Sequence, residues 1–471
     1  MARGGYLLRG RSGQINALNS EVVKATGWHL ADAIRPVSSE RGLMSEDAFK
    51  RVRGELGAQR HEQLLHKHGV EIVRELDDFD AIALIKTRDP ADLGPRGASS
   101  VAPVKDPTTG LLLDWHLVEC RFPTAWQAFG GAEAIDWTGI KVGHIDTGFT
   151  RHPALGFASD SSDSDWINTA HDRNFFAAEL DTSTGTPTFV DSTSAEERDA
   201  GGLNGGHGTR TMSVLCGFDA STEARAGGYD AYLGGAPRVP VVPIRLQDSV
   251  WLQGRTFSDD LPDAINHLVD TAGVDVITLS MGGPVGSFLN STTPDNLRRV
   301  IDKAYERGVI FCCAAGNNIP NEKVVFPARS SRTIAVAGIA RNRRLWVGSS
   351  YGAQVDICAP AHGIRRADLR RSLRGLRFGY GEGEGTSFAT PQVAAAAALW
   401  LARWGEEIES AYPERWQRVQ AFKAALAATA TLGEDWQPSV YGAGILNAAA
   451  LLEVPLPEVS TLIKDISSDW S

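Results

Sequence analysis

The stretch Gly385-Thr386-Ser387-Phe388-Ala389-Thr390-Pro391 runs into Gln392-Val393-Ala394-Ala395-Ala396-Ala397-Ala398-Leu399-Trp400. Glycine supplies a turn, and the alanine-rich run after it is strongly helix-forming. Ser387 therefore stands at a helix start, where unpaired N–H groups and the positive end of the helix dipole favour developing negative charge. On this stretch alone the serine reads equally as a nucleophile or as a helix cap. The flanks exclude the Gly-x-Ser-x-Gly elbow of α/β-hydrolases, because Ala389 stands where that turn requires a second glycine.

Working outward, short apolar runs alternate with helical segments and glycine turns from residue 111 onward, the texture of an α/β domain. Ile140-Lys141-Val142-Gly143-His144-Ile145-Asp146-Thr147-Gly148 reads as a buried strand that ends in a carboxylate. The carboxyl ends of such strands are where sites form in open α/β sheets, although an aspartate also simply begins turns. Asn204-Gly205-Gly206-His207-Gly208-Thr209 sets a histidine between glycines at the start of an amphipathic helix. Val309-Ile310-Phe311-Cys312-Cys313-Ala314-Ala315-Gly316-Asn317 is a further strand ending in an amide, which serves either a turn or a developing oxyanion. The strand over residues 274–279 leads into Ser280-Met281-Gly282-Gly283, a small-residue edge suited to an extended peptide.

Ser387, His207 and Asp146 supply a hydroxyl, a base that works near neutral pH and a carboxylate to orient it, the set needed for nucleophilic acyl transfer. Their chain order, Asp then His then Ser, differs from that of chymotrypsin and of the α/β-hydrolases. In these motifs the chain resembles the subtilisin-like serine proteases (subtilases, peptidase family S8). The resembling segments are Ile145-Asp146-Thr147-Gly148, His207-Gly208-Thr209, Ala314-Ala315-Gly316-Asn317, Ser280-Met281-Gly282-Gly283, residues 349–360, the serine stretch and Tyr441-Gly442-Ala443-Gly444-Ile445-Leu446-Asn447-Ala448.

The resemblance implies an α/β three-layer fold with a mainly seven-stranded parallel sheet. It implies a serine endopeptidase with Ser387 as nucleophile, His207 as base and then acid, Asp146 as orienting carboxylate and Asn317 as oxyanion donor. Ser280, Met281, Gly282, Ala315 and Gly316 would line the bound peptide. Val325 would form the base of the S1 pocket and limit the P1 side chain to small or medium apolar groups. Phe388 replaces the methionine common after the nucleophile, and the 61-residue separation of Asp146 from His207 locates an acidic insertion between them.

Residues 1–44 read as irregular and 45–90 as a small α+β unit, a helix over 45–68 followed by strands at 70–76 and 81–87. That unit lies where the family carries an inhibitory propeptide, so self-processing is expected, with a permanently attached domain as the other reading. Residues 91–111 have linker composition, 112–452 form the peptidase domain and 453–471 a C-terminal surface extension. A protein that keeps this fold for regulated binding, its N-terminal unit blocking the cleft, is the alternative function.

The formal charge of −10 argues against nucleic acid as a partner. No apolar run approaches the length of a membrane span or of a signal peptide, so the reading is a cytoplasmic protein acting on protein or peptide substrates. Five cysteines, Cys120, Cys216, Cys312, Cys313 and Cys358, show no CxxC spacing and read as reduced core thiols. No metal or cofactor is required. The acidic residues between 156 and 206 lack an EF-hand spacing, so calcium has no motif and a solvated insertion is the favoured reading. The six arginines between 365 and 377 read as an exposed loop or ribbon near the site.

Overall fold

The computed structural model describes residues 103–157, 163–176, 194–197, 204–219, 230–252, 254–283, 294–317, 324–372, 375–433 and 436–466, with the backbone of six short strands outside these ranges. Two compact units separate, one holding residues 1–99 and the other most of the remaining chain.

In the larger unit a seven-stranded sheet is parallel throughout. Its strands are β1 (Val142–Asp146), β2 (Arg173–Asn174), β3 (Val241–Arg245), β4 (Val276–Leu279), β5 (Ile310–Ala314), β6 (Ile334–Ile339) and β7 (Ile357–Pro360), in the spatial order β7-β6-β5-β4-β1-β3-β2. Every residue of β1, β3, β4, β5, β6 and β7 is buried. This explains why these strands read as near-continuous apolar runs: helices cover both faces of a parallel sheet. The helices that matter for the site are α1 (His207–Cys216), α2 (Asp295–Glu306), α3 (Thr386–Ala411) and α4 (Trp416–Thr429). The expected mainly seven-stranded parallel sheet and three-layer fold are thus observed.

Helix α3 crosses the sheet and packs against β4, β5, β6 and β7 as well as against α1. Its buried stretch of alanines, Ala394 to Ala398, lets the helix lie close to the strands. Between β7 and α3 the arginine-rich segment forms an antiparallel ribbon, β8 (Ile364–Ser372) with β9 (Gly375–Gly383), and β8 packs on α1. All five cysteines are buried and free. Among the described residues no helix is long and apolar enough to cross a membrane.

The smaller unit holds a four-stranded antiparallel sheet made of Gly5–Arg9, Arg35–Ser38, Arg41–Ser45 and Glu71–Leu76. The strand expected over 70–76 is present. Residues 1–44, expected to be irregular, contribute three strands instead. Their order comes from antiparallel partners distant in the chain, Gly5 facing both Ser45 and Leu76, which a search for local periodicity does not detect. The expected helix over 45–68 and strand over 81–87 lie outside the described residues, apart from Ser45 at a strand end.

In the expected linker, Val104–Lys105 pairs with Leu112–Leu113, and Asp106 Oδ1 accepts from the N–H groups of Thr108 and Thr109 to close the turn. At the other terminus the Tyr412 hydroxyl donates to Pro457 O, and the Asp465 N–H donates to the Tyr305 hydroxyl, so the extension is tied to the domain.

Candidate active site

Asp146 ends β1 and is fully buried. Its Oδ1 lies 2.7 Å from His207 Nδ1 and accepts the Thr147 N–H at 2.7 Å. Its Oδ2 accepts the Thr211 hydroxyl at 3.1 Å. Burial by itself would raise the Asp146 carboxyl, but His207 beside it, with His144 and the Thr147 N–H, holds it below the usual carboxylate value.

His207 opens α1, with 14% of its side chain exposed. The two glycines around it are steric requirements. Gly206 has φ +71°, a left-handed conformation that side chains resist. A Cβ on Gly208 would sit 2.0 Å from Gly148 O, so only glycine lets the start of α1 close onto the Asp146 loop.

Ser387 lies in the first turn of α3 and is 7% exposed. Pro391, four residues on, has no N–H to donate to Ser387 O, and the Ser280 hydroxyl donates to that oxygen at 2.9 Å instead. Ser387 Oγ donates in turn to Ser280 O at 3.3 Å. Ser280 and Ser387 thus clasp the end of β4 to the start of α3. Phe388, 5% exposed, places its ring 6.4 Å from the His207 ring and under the Arg366 guanidinium.

Asn317 follows β5. Its Oδ1 accepts both the Thr386 N–H and the Thr386 hydroxyl at 2.9 Å. Because an N–H can only donate, these bonds settle the amide orientation and leave Nδ2 as the donor. Nδ2 lies on the side of Gly385, 3.4 Å from where a Cβ would stand on that residue.

The peptide-binding edge differs from a free strand. The Gly282 N–H donates to Val250 O at 3.1 Å and Gly282 O accepts the Leu252 N–H at 3.0 Å. Gly283 exchanges both backbone bonds with Phe326. Met281 is buried in the core. Val325, 6% exposed, fills the space over two glycines: a Cβ on Gly282 or Gly316 would approach its methyl groups to 2.4 or 2.9 Å. Ala315 is buried and bonds Val325 N–H and Val336 O through its backbone. Glu382 and Glu384, beside the serine turn, are exposed, and Glu384 lies 3.4 Å from His362.

Three buried residues stand behind the Asp146–His207 pair: His144 and Thr211 escaped the sequence reading, and Glu197, in the acidic segment expected to be a solvated insertion, is instead 2% exposed. His144 Nε2 lies 2.9 Å from the Thr211 hydroxyl, and Glu197 Oε2 accepts the Gly206 N–H at 2.8 Å. The available signals were a histidine two residues before Asp146 in an otherwise apolar strand, and a threonine four residues after His207 on the same helical face. Among the described residues no group of three His, Cys, Asp or Glu side chains would hold a metal ion.

Burial pushes the Glu197 carboxyl up to about 7, with Asp146 adding to the rise and the Gly206 N–H and Arg245 opposing it. The native state then holds a proton that the unfolded chain has released between about pH 4.5 and 7, so this group's contribution to stability falls as pH rises through that window. Glu197→Gln keeps the acceptor for Gly206. It is expected to unfold at higher urea than wild type at pH 8, by up to about 3 kcal/mol, and to match it near pH 4.5. Equal differences at both pH values would refute the shift.

The model of the subtilase family matches residues 138–444. Subtilisin DY from Bacillus licheniformis is 29% identical over 249 residues, covering 52% of this chain and 77% of that protein. Subtilisin E from Bacillus subtilis (strain 168) is 31% identical over 250 residues, covering 52% of this chain and 55% of that one, so the match spans about half of the longer relative. A solved protease from Pseudoalteromonas arctica superposes with a TM-score of 0.54 at 22% identity, covering 75% of this chain and 99% of that structure. MycP1 with its N-terminal propeptide removed gives 0.51 at 21%, covering 73% and 99%. Both likenesses are of fold.

Proposed function

Because the chain belongs to the subtilase family of serine proteases, we propose that it is an endopeptidase in which Ser387, His207 and Asp146 act as the triad. Ser387 Oγ attacks the scissile carbonyl while His207 Nε2 takes its proton. His207 returns that proton to the leaving amine, and the acyl-enzyme is then hydrolysed by water that His207 deprotonates. Asp146 holds the His207 tautomer with its proton on Nδ1 and stabilises the imidazolium. Asn317 Nδ2 donates to the tetrahedral oxyanion.

The observation that carries this reading is the 2.7 Å bond to a buried carboxylate from His207, on a helix packed against the one whose first turn holds Ser387. An incoming peptide that uses the Ser280–Met281–Gly282 edge has to displace residues 250–252 from Gly282, and Val325 restricts P1 to small or medium apolar side chains.

We read the N-terminal unit as an inhibitory propeptide that the enzyme removes from itself. Its independent antiparallel sheet supports a separately folding segment. The five free buried thiols support a reducing compartment such as the cytoplasm.

The test is cleavage of a proteome-derived peptide library, read by sequencing the new termini. Cuts that follow Ala, Val or residues of similar size are expected. Absence of cuts, together with absence of fluorophosphonate labelling, would favour the regulated-binding reading.

A further inference from the structure

Behind the Asp146 carboxylate lies a polar group of unusual depth. His144 is 1% exposed and Thr211 fully buried. In the sheet His144 faces Pro243 of β3 and Thr278 of β4. Its Nδ1 meets no group of another residue, its own backbone being the one hydrogen-bonding group that acts on the ring besides Thr211, and Thr278 Oγ1 has no hydrogen-bond partner among the described residues. A buried imidazole with one nitrogen that meets no other residue destabilises a fold that an aliphatic side chain would serve better. Its placement therefore calls for a compensating role.

The hydroxyl of Thr211 supplies one. It carries a single proton and has three acceptors within reach: Asp146 Oδ2 at 3.1 Å, Gly208 O at 3.1 Å and His207 O at 3.3 Å. The last two are the backbone carbonyls that a helical threonine ordinarily bonds. His144 Nε2, 2.9 Å from the same oxygen, either donates to it or competes for its proton. If Nε2 carries the hydrogen, the Thr211 proton is free to meet Oδ2 of the anion. If Nδ1 carries it, Thr211 donates to His144 and Oδ2 stays buried without a donor.

We propose that His144, held as its Nε2–H tautomer, and Thr211 are positioning residues: the relay His144 Nε2–H to Thr211 Oγ–H to Asp146 Oδ2 fixes the carboxylate so that Oδ1 faces His207. The inference rests on the reading of Asp146 as the residue that orients His207. Burial, with His207 adding to it and Asp146 opposing, lowers His144 to about 4, so the ring is neutral at working pH and has one proton to place. The titratable groups acting on this ring are Asp146 and His207. Those acting further out, on Glu197 beside Asp146, are Arg210 on α1 and Arg245 on β3.

The Thr211 hydroxyl directs its positive end toward Asp146 and thus opposes the His207 imidazolium. Its loss favours the protonated ring. Thr211→Val is therefore expected to lower kcat about tenfold at unchanged KM. It should also move the acid limb of kcat/KM upward by about half a pH unit. His144→Leu should behave in the same way. Thr211→Ser and His144→Gln, which restore a hydroxyl and a donor, should return both quantities to within about twofold of wild type. The comparison is made in a Glu197→Gln background, because burial pushes the Glu197 carboxyl up to about 7.

Nitrogen-15 imidazole spectra of the wild-type protein read the tautomer without turnover. A proton on His144 Nε2 is expected, and one on Nδ1 overturns the proposal even if the triad is correct. An acid limb and kcat unmoved by Thr211→Val overturn it as well. A wild type that fails to react with fluorophosphonate counts against the triad itself, and the spectrum still decides the relay.

Discussion

Replacing Ser387 with alanine is expected to abolish fluorophosphonate labelling and to lower kcat by about a millionfold, a magnitude carried over from subtilisin, a relative of this chain. The side chain is small and 7% exposed, and among the described residues its hydroxyl makes one bond, of 3.3 Å to Ser280 O. The clasp between β4 and α3 survives through the Ser280 hydroxyl and the Ser387 backbone carbonyl, which alanine retains. The variant should therefore fold with a melting temperature close to that of wild type, and its loss is then one of chemistry. It also tests self-processing: wild type should shed an N-terminal fragment ending within about residues 88–112, whereas Ser387→Ala stays intact. Residual labelling of the variant, or cleavage of both proteins at the same rate, would remove Ser387 from the nucleophile's role.

Asn317→Ala is expected to lower kcat by about 10²–10³-fold with KM within about twofold, again on the scale known for the oxyanion donor of subtilisin. Here the structure complicates the experiment. Asn317 Oδ1 accepts two bonds from Thr386, so alanine also leaves the start of α3 without its partner. Part of any loss is then structural. Asn317→Asp separates the effects, because it keeps an acceptor for Thr386 while replacing the Nδ2 donor by an oxygen. If the N–H serves the transition state, the aspartate variant loses at least as much kcat as the alanine variant and keeps more of the thermal stability. If aspartate restores turnover, Asn317 acts only by holding Thr386.

The chain itself announced the layout of the site because each element end carries a local demand. Parallel strands buried on both faces had to be continuous apolar runs, and β1, β4 and β5 were legible as such, with Asp146 at the end of β1 and Ser280 and Asn317 just beyond the other two. The turn glycines beside His207 and Ser387 mark backbone that no other residue accommodates, and the alanine run after Ser387 marks a helix. These are properties of consecutive residues, so sequence alone marked the strands, the helix starts and the candidate triad, while the seven-stranded parallel sheet was implied by the family resemblance.

Packing decided what stands behind the triad. Whether His144 meets Thr211 and Thr211 meets Asp146 depends on how α1 settles on β1 across more than 60 residues of chain, which no local pattern encodes. The same holds for Val250 and Leu252 occupying Gly282, for Glu197 reaching Gly206, and for the N-terminal strands whose partners are distant. Residues of these types are ordinary in sequence, and their chemistry arises only when the fold removes water and leaves one another as partners.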